Sequence, residues 1–152
     1  RFARLDRERF SGIRTAGHEG DTPYYTNSTK LPADYDGTLQ GALINQDSLQ
    51  PLYTTGTVFH VYMERELEDW KKARDLLSSM ITEHHIPCFT LSPVYTICQT
   101  CGYLPGRQER CPKCNGAADV YSRIAGYYRP VHDWNDGKAQ EFRNRIMFRI
   151  GE

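Results

Sequence analysis

Four of the five cysteines fall in two matched pairs, Cys98-x-x-Cys101 and Cys111-x-x-Cys114, with nine residues between the pairs. Two residues between cysteines let both sulfurs of one turn reach a single ion at about 2.3 Å, and four thiolates complete a tetrahedron. The spacing therefore predicts a zinc knuckle. With cysteine in every position no coordination site stays open, so the ion is expected to be structural and not a Lewis acid. Its role would be to stiffen a region too small to build a core of its own. Gly102 and Gly116 are expected to allow the turns after each pair. An iron–sulfur cluster and dithiol redox chemistry are the alternatives to zinc. A nucleic-acid-binding ribbon is a third, with only Arg107, Arg110 and Lys113 as basic residues in the knuckle.

Directly downstream runs Val120-Tyr-Ser-Arg123-Ile-Ala-Gly126-Tyr127-Tyr128-Arg-Pro-Val131, with a glycine at its centre. Removing the α-hydrogen of a glycine leaves a planar carbon radical shared between the flanking amide nitrogen and carbonyl. Without a Cβ the residue flattens with no clash and lets its backbone approach a partner closely. Taken alone, however, an Arg-x-x-Gly-Tyr run describes an ordinary turn glycine better than a reactive one.

The rest of the chain must position these groups. At 152 residues it can bury one ordinary core, and 39% hydrophobic with 25% charged residues is globular. A formal net charge of zero provides no global field to recruit nucleic acid or a membrane surface. No run of about 18 apolar residues and no export signal is visible, and an odd cysteine count argues against a disulfide framework. A cytoplasmic, reducing compartment is expected.

Residues 1–10 read as a charged helical stub with Phe2, Leu5 and Phe10 on one side. It has no cap, so a fragment or one chain of a split protein is expected. Pro23-Tyr24-Tyr25-Thr26-Asn27-Ser28-Thr29-Lys30-Leu31-Pro32 is either an edge strand running into an Asn-Ser turn or a loop lining a polar ligand site. Asp36-Gly37-Thr38 can start a short helix carrying Leu39, Ala42 and Leu43 inward, bounded by Gln50-Pro51. Residues 58–63 have the β-branched and aromatic content of a buried strand, within which His60 reads as structural. From Glu64 to His84 a helical stripe follows, formed by Leu67, Trp70, Ala73, Leu77 and Met80 and broadened by Leu76 and Ile81. Cys88-Phe-Thr-Leu91 and Val94-Tyr-Thr-Ile97 read as strands interrupted by Ser92-Pro93, and the lone Cys88 reads as packing. Asn135 is a candidate N-cap for a last helix with Ala139, Phe142 and Ile146 on one face. Strand, helix, strand implies layered α/β packing.

Arg123-Ile-Ala-Gly126-Tyr127, then Asn135-Asp-Gly-Lys138, then Glu141-Phe142, closely resembles the C-terminal glycyl-radical segment of anaerobic (class III) ribonucleoside-triphosphate reductases. Residues 23–32 and Gly56-Thr57-Val58-Phe59-His60 resemble two other segments of that family, and the two C-x-x-C pairs match its zinc module. The likeness covers essentially the whole chain in the right order. Pyruvate formate-lyase-type enzymes share a similar glycine loop, but the four-cysteine knuckle is not expected in them.

The resemblance implies an α/β fold: the C-terminal part of a glycyl-radical-enzyme barrel over residues 1–97, a zinc knuckle over 98–119, and the radical loop with its helix over 120–152. It implies anaerobic reduction of ribonucleoside triphosphates to deoxyribonucleoside triphosphates. Gly126 maps to the radical, which an iron–sulfur, S-adenosylmethionine-dependent activating enzyme would generate. Cys98, Cys101, Cys111 and Cys114 map to the zinc ligands, and Thr26, Asn27 and Ser28 to the substrate site. Tyr127 and Arg123 would anchor the loop. The radical would pass to a thiyl cysteine expected on the remainder of the reductase, upstream of this chain, with formate or a dithiol protein as reductant. The chain alone is then expected to be inactive, and the assembled enzyme to be a homo-oligomer. A non-catalytic zinc-ribbon interaction module, or a replacement part for a damaged enzyme, is the competing class.

Overall fold

The side chains of residues 59–63 alternate between buried Phe59, Val61 and Met63 and half-buried His60 and Tyr62, the period-two pattern of a strand with one core face. A computed structural model of the chain describes residues 1–26, 30–54 and 56–150. In it strand β1 (Phe59–Met63) pairs in parallel with β2 (Phe89–Pro93), in register from Phe59↔Phe89 to Met63↔Pro93. Parallel neighbours cannot be joined by a tight turn. The crossover here carries helix α3 (Trp70–Glu83). Val61, Met63, Met80, Ile86, Ala42 and Leu43 form the main core, with Leu39, Leu67 and Leu76 packed against it.

A second sheet follows after a single residue. Val94 is buried and its N–H bonds the Met63 carbonyl at 2.9 Å. Strand β3 (Tyr95–Cys98) then lies between β4 (Gly102–Pro105) and β5 (Ala118–Arg123), and β6 (Tyr128–Pro130) closes the antiparallel order β4-β3-β5-β6. The two sheets are thus fastened to each other by the backbone between β2 and β3. Val94 also joins a second core with Trp134 and Phe142.

Three helices complete the fold. In α1 (Phe2–Arg9) the buried residue is Ala3. Helix α2 (Leu39–Asp47) is capped by Thr38, whose Oγ1 accepts the Gly41 N–H at 3.0 Å, and Gln50–Leu52 form a 3-10 turn after it. Helix α4 (Asp136–Asn144) is capped by Asn135, whose side chain accepts the Lys138 N–H at 3.1 Å. No helix among the described residues is long and apolar enough to cross a membrane.

Several local expectations are corrected. Helix α3 starts at Trp70, not Glu64, because the Asp69 side chain caps it by accepting the Lys71 N–H at 2.8 Å. Trp70, in the first turn, is 66% exposed under the Arg74 guanidinium, and Ile81 is also exposed. The apolar stripe is therefore narrower than its sequence pattern. Phe2 and Phe10 are exposed, and so is Cys88, which is therefore not a core residue. Ser92-Pro93 extends β2 instead of breaking it; proline is tolerated at the last rung, where no further ladder bond needs its missing N–H. Ile146 lies beyond the end of α4, where its N–H bonds the Ala33 carbonyl at 2.9 Å. The fold is mixed α/β as expected. Its parallel part among the described residues is one β1–α3–β2 unit, so a closed barrel is not visible in this chain.

Candidate functional site: a glycine hairpin between a cysteine knuckle and a cavity

Cys98 ends β3 and Cys101 sits in the turn before β4, while Cys111 and Cys114 occupy the second knuckle, tied by Asn115 N–H to the Cys111 carbonyl at 2.8 Å and Cys111 N–H to the Gly116 carbonyl at 2.9 Å. The four Sγ atoms lie within 4.8 Å of one another, and Cys98 and Cys114 are 3.6 Å apart. Tetrahedral sulfurs about 2.3 Å from one zinc ion sit about 3.8 Å apart, so the donors fit a single ion such as zinc. Hydrogen bonding to Cys114, with burial, pushes the Cys101 thiol up to about 12. Burial raises Cys111 too, but backbone N–H groups of Cys114 and Lys113 outweigh it and bring that thiol down to about 6. Gly102 adopts φ +76° as expected. In the second knuckle the left-handed residue is Asn115, with φ 57°, and not Gly116.

The knuckle lies at the opposite end of β5 from the glycine. Cys98 pairs with Ala118 at the start of β5, and Arg123 pairs with Tyr128 at its other end. Five steps of strand, about 17 Å at the usual rise, separate the cysteines from the hairpin tip. Between them, buried Thr96 donates its hydroxyl to the Gly106 carbonyl at 2.8 Å and accepts the Gln108 N–H at 3.0 Å. That fixes the segment joining the two cysteine pairs to the centre of the sheet.

Gly126 occupies the β5–β6 hairpin tip, closed by the Ile124 N–H on the Tyr127 carbonyl at 3.1 Å. It is exposed, its φ is not among the positive values, and a Cβ built on it meets nothing within 4 Å. Neither backbone conformation nor local sterics demand glycine here. Arg123 Nη1 donates to the Gly126 carbonyl at 2.8 Å, Arg123 Nε donates to Ser92 Oγ at 3.0 Å, and the guanidinium lies 4.8 Å from the Tyr128 ring centroid.

Behind the tip lies a cavity of about 110 Å³ whose lining includes Thr26, Lys30, His60, Tyr62, Lys138, Glu141 and Arg145, with Ile124 and Ala125 contributed by the hairpin itself. Three cations face one carboxylate there. Glu141 is held by Lys138 at 2.5 Å and by Arg145 at 3.0 Å. Burial, then the charge of Lys138, lowers Lys30. Burial, then Lys30, Arg123 and Arg145, brings His60 down to about 4, so its imidazole is neutral near pH 7. Arg145 Nε is the one buried side-chain nitrogen or oxygen without a hydrogen-bond partner among the described residues.

A family model for anaerobic ribonucleoside-triphosphate reductase matches residues 1–148. The chain belongs to that family. It is also similar to a solved anaerobic ribonucleotide reductase over 96% of its own length, at 20% identity and TM-score 0.73. Two crystal structures of the anaerobic ribonucleotide reductase from Thermotoga maritima, one in complex with dATP and CTP and one with glycerol in the active site, match at 19% and 20% identity. They cover 91% and 93% of the chain, with TM-scores of 0.64 and 0.61. The chain spans about a fifth of each of these three, 22%, 21% and 20%. No curated protein matches.

Within this reductase-family fold the four cysteines converge, Gly126 sits at a hairpin tip, and Thr26 reaches the cavity. Asn27 and Ser28 lie outside the described residues. Tyr127 is 59% exposed, whereas Arg123 holds the loop directly. Sequence reasoning passed over Arg145 and left His60 structural. The available signal was alternation: His60 and Tyr62 share one face of β1, opposite the core face of Phe59, Val61 and Met63.

Proposed function

We propose that Gly126 carries a glycyl radical and that this chain supplies the radical loop of an enzyme reducing ribonucleoside triphosphates under anaerobic conditions. One observation carries the reading. Glycine stands at an exposed hairpin tip where conformation and packing would accept a side chain, while a charged donor is fastened to its carbonyl. A chemical requirement explains that residue where a structural one does not. The unpaired electron left by loss of the Cα hydrogen spreads onto the flanking carbonyl, and the Arg123 guanidinium is placed to hold that oxygen in plane.

The rest of the reading rests on family membership. An activating enzyme using an iron–sulfur cluster and S-adenosylmethionine removes the Gly126 hydrogen. The Gly126 radical then takes the thiol hydrogen of a cysteine of the remaining reductase, restoring the glycine and leaving a thiyl that reacts with the ribose, and formate or a dithiol supplies the reducing electrons. Residues 1–97 belong to the catalytic barrel, 98–119 to the zinc knuckle and 120–152 to the radical loop with its helix. Thr26, Asn27 and Ser28 border the substrate, and the surplus positive charge of the cavity suits an anionic group. Zinc bound by the four cysteines stiffens the base of the sheet and takes no part in the reaction. The assembly works as a homo-oligomer in the cytoplasm.

Anaerobic activation followed by exposure to oxygen tests the assignment. Cleavage at Gly126, seen as two fragments by mass spectrometry, is the expected result. An intact chain after verified activation would contradict it.

A further inference from the structure

An unbroken line of hydrogen bonds runs from the cavity to the glycine. His60 Nδ1 lies 2.9 Å from Thr90 Oγ1, Thr90 Oγ1 lies 3.1 Å from Ser92 Oγ, Arg123 Nε donates to Ser92 Oγ at 3.0 Å, and Arg123 Nη1 donates to the Gly126 carbonyl at 2.8 Å. The sheet register builds this path. His60 pairs with Thr90 and Tyr62 with Ser92 across β1 and β2, so the polar residues share the face opposite the core.

One end of the path has a fixed direction, because guanidinium is a donor only. Ser92 Oγ accepts from Arg123. Carried on in the same sense, the Ser92 O–H would go to Thr90 and the Thr90 O–H to His60 Nδ1. His60 lines the cavity, and in that sense its imidazole would end the line as an acceptor at Nδ1 with its proton on Nε2.

We propose that His60 is a positioning residue for Gly126. As the Nε2–H tautomer it supplies the terminal acceptor of a Thr90–Ser92–Arg123 relay that aims the guanidinium at the Gly126 carbonyl, and its other edge faces the cavity. The role given to the carbonyl rests on Gly126 being the radical site. The relay itself does not.

Two readouts separate these claims. In the unactivated, zinc-loaded chain, NMR reports the protonation of each His60 ring nitrogen and the carbonyl carbon shift of Gly126. In the activated holoenzyme, electron paramagnetic resonance reports the radical yield. His60→Phe keeps a ring but loses the acceptor, His60→Asn places an oxygen near the Nδ1 position, and Thr90→Val cuts the path with an isosteric side chain. The expected results are Nε2–H with bare Nδ1, and a Gly126 carbonyl shift displaced in the same sense by His60→Phe and Thr90→Val. The double variant adds nothing further, and His60→Asn stays near wild type. Radical yield falls on the order of tenfold in His60→Phe and Thr90→Val, the scale of one hydrogen bond to a charged group, and recovers in His60→Asn.

A packing role predicts the reverse order, with the phenylalanine better tolerated than the asparagine. That order, a protonated Nδ1, or a Gly126 carbonyl unmoved by Thr90→Val in a folded chain, overturns the proposal. If the shifts follow the relay while wild type yields no Gly126 radical, the relay stands and the radical assignment falls.

Discussion

The Arg145 guanidinium carbon lies 3.7 Å from the centroid of the Tyr62 ring, the closest of its three aromatic contacts, with Trp134 and Phe142 each beyond 5.5 Å. From there Nη1 donates to Ser122 Oγ at 3.2 Å and to the Arg123 carbonyl at 3.3 Å, and Nη2 pairs with Glu141 at 3.0 Å. One side chain, 1% exposed, thus joins β1, the end of β5 and α4 beneath the glycine hairpin. Planar, weakly hydrated and permanently charged, guanidinium suits a site that stacks and donates at once.

Removing that charge should be costly. Arg145→Met keeps much of the volume but leaves Glu141 with Lys138 alone and takes a donor from Ser122 Oγ and the Arg123 carbonyl. A loss of about 3 kcal/mol is expected, the scale for breaking one side of a buried pair. Urea unfolding at unchanged m checks it. A loss below about 1 kcal/mol would mean that the guanidinium is not the fastening it looks to be.

Gly126→Ala should separate stability from chemistry. A Cβ at this position meets no neighbour and φ is not left-handed. The chain should therefore be unchanged or stabilised by up to about 1 kcal/mol, through lost unfolded-state freedom. Radical formation should vanish. Marked destabilisation would return Gly126 to the ordinary turn glycines.

Metal removal should loosen one end of the second sheet first. With a chelator, amide exchange in β3, β4 and the start of β5 should accelerate before that in β1 and β2, which have their own apolar core. Metal analysis should return one ion per four cysteines. Uniform loss of protection would show that the knuckle supports the whole fold and not the hairpin base.

His60 should leave a mark on stability against pH. Its folded value is about 4 and its ordinary value 6.5. Between those values the unfolded chain binds the extra proton, so this contribution is whole above 6.5 and is lost as pH falls through about 4. The ring is only half-buried, so the slope should stay below about 1.4 kcal/mol per pH unit. Urea midpoints at pH 7 and pH 5 should differ more in wild type than in His60→Asn. Equal differences would contradict a neutral, confined imidazole.

How much of this was legible beforehand depended on whether local pattern or tertiary contact decided the outcome. The cysteine spacing already contained the cluster, because two knuckles leave four thiolates few other arrangements. Caps at Thr38 and Asn135 were readable because a cap is a local bond. Trp70 and Ile81 misled, since helical periodicity shows which residues share a face but not how wide a face the neighbours cover. Arg145 was invisible because a buried arginine is justified by its partners, and Tyr62, Ser122 and Arg123 lie far away in sequence. Gly126 stood out through resemblance; its freedom from any structural need for glycine appeared only in three dimensions.

The central claim is the radical on Gly126. Its most direct test is electron paramagnetic resonance of the reductase containing this chain, activated anaerobically, with and without glycine deuterated at Cα. The expected spectrum is a doublet, split by the remaining Cα hydrogen, that collapses on deuteration and is missing in Gly126→Ala. A doublet surviving that substitution, or none in an enzyme that nevertheless reduces ribonucleotides, would contradict the assignment.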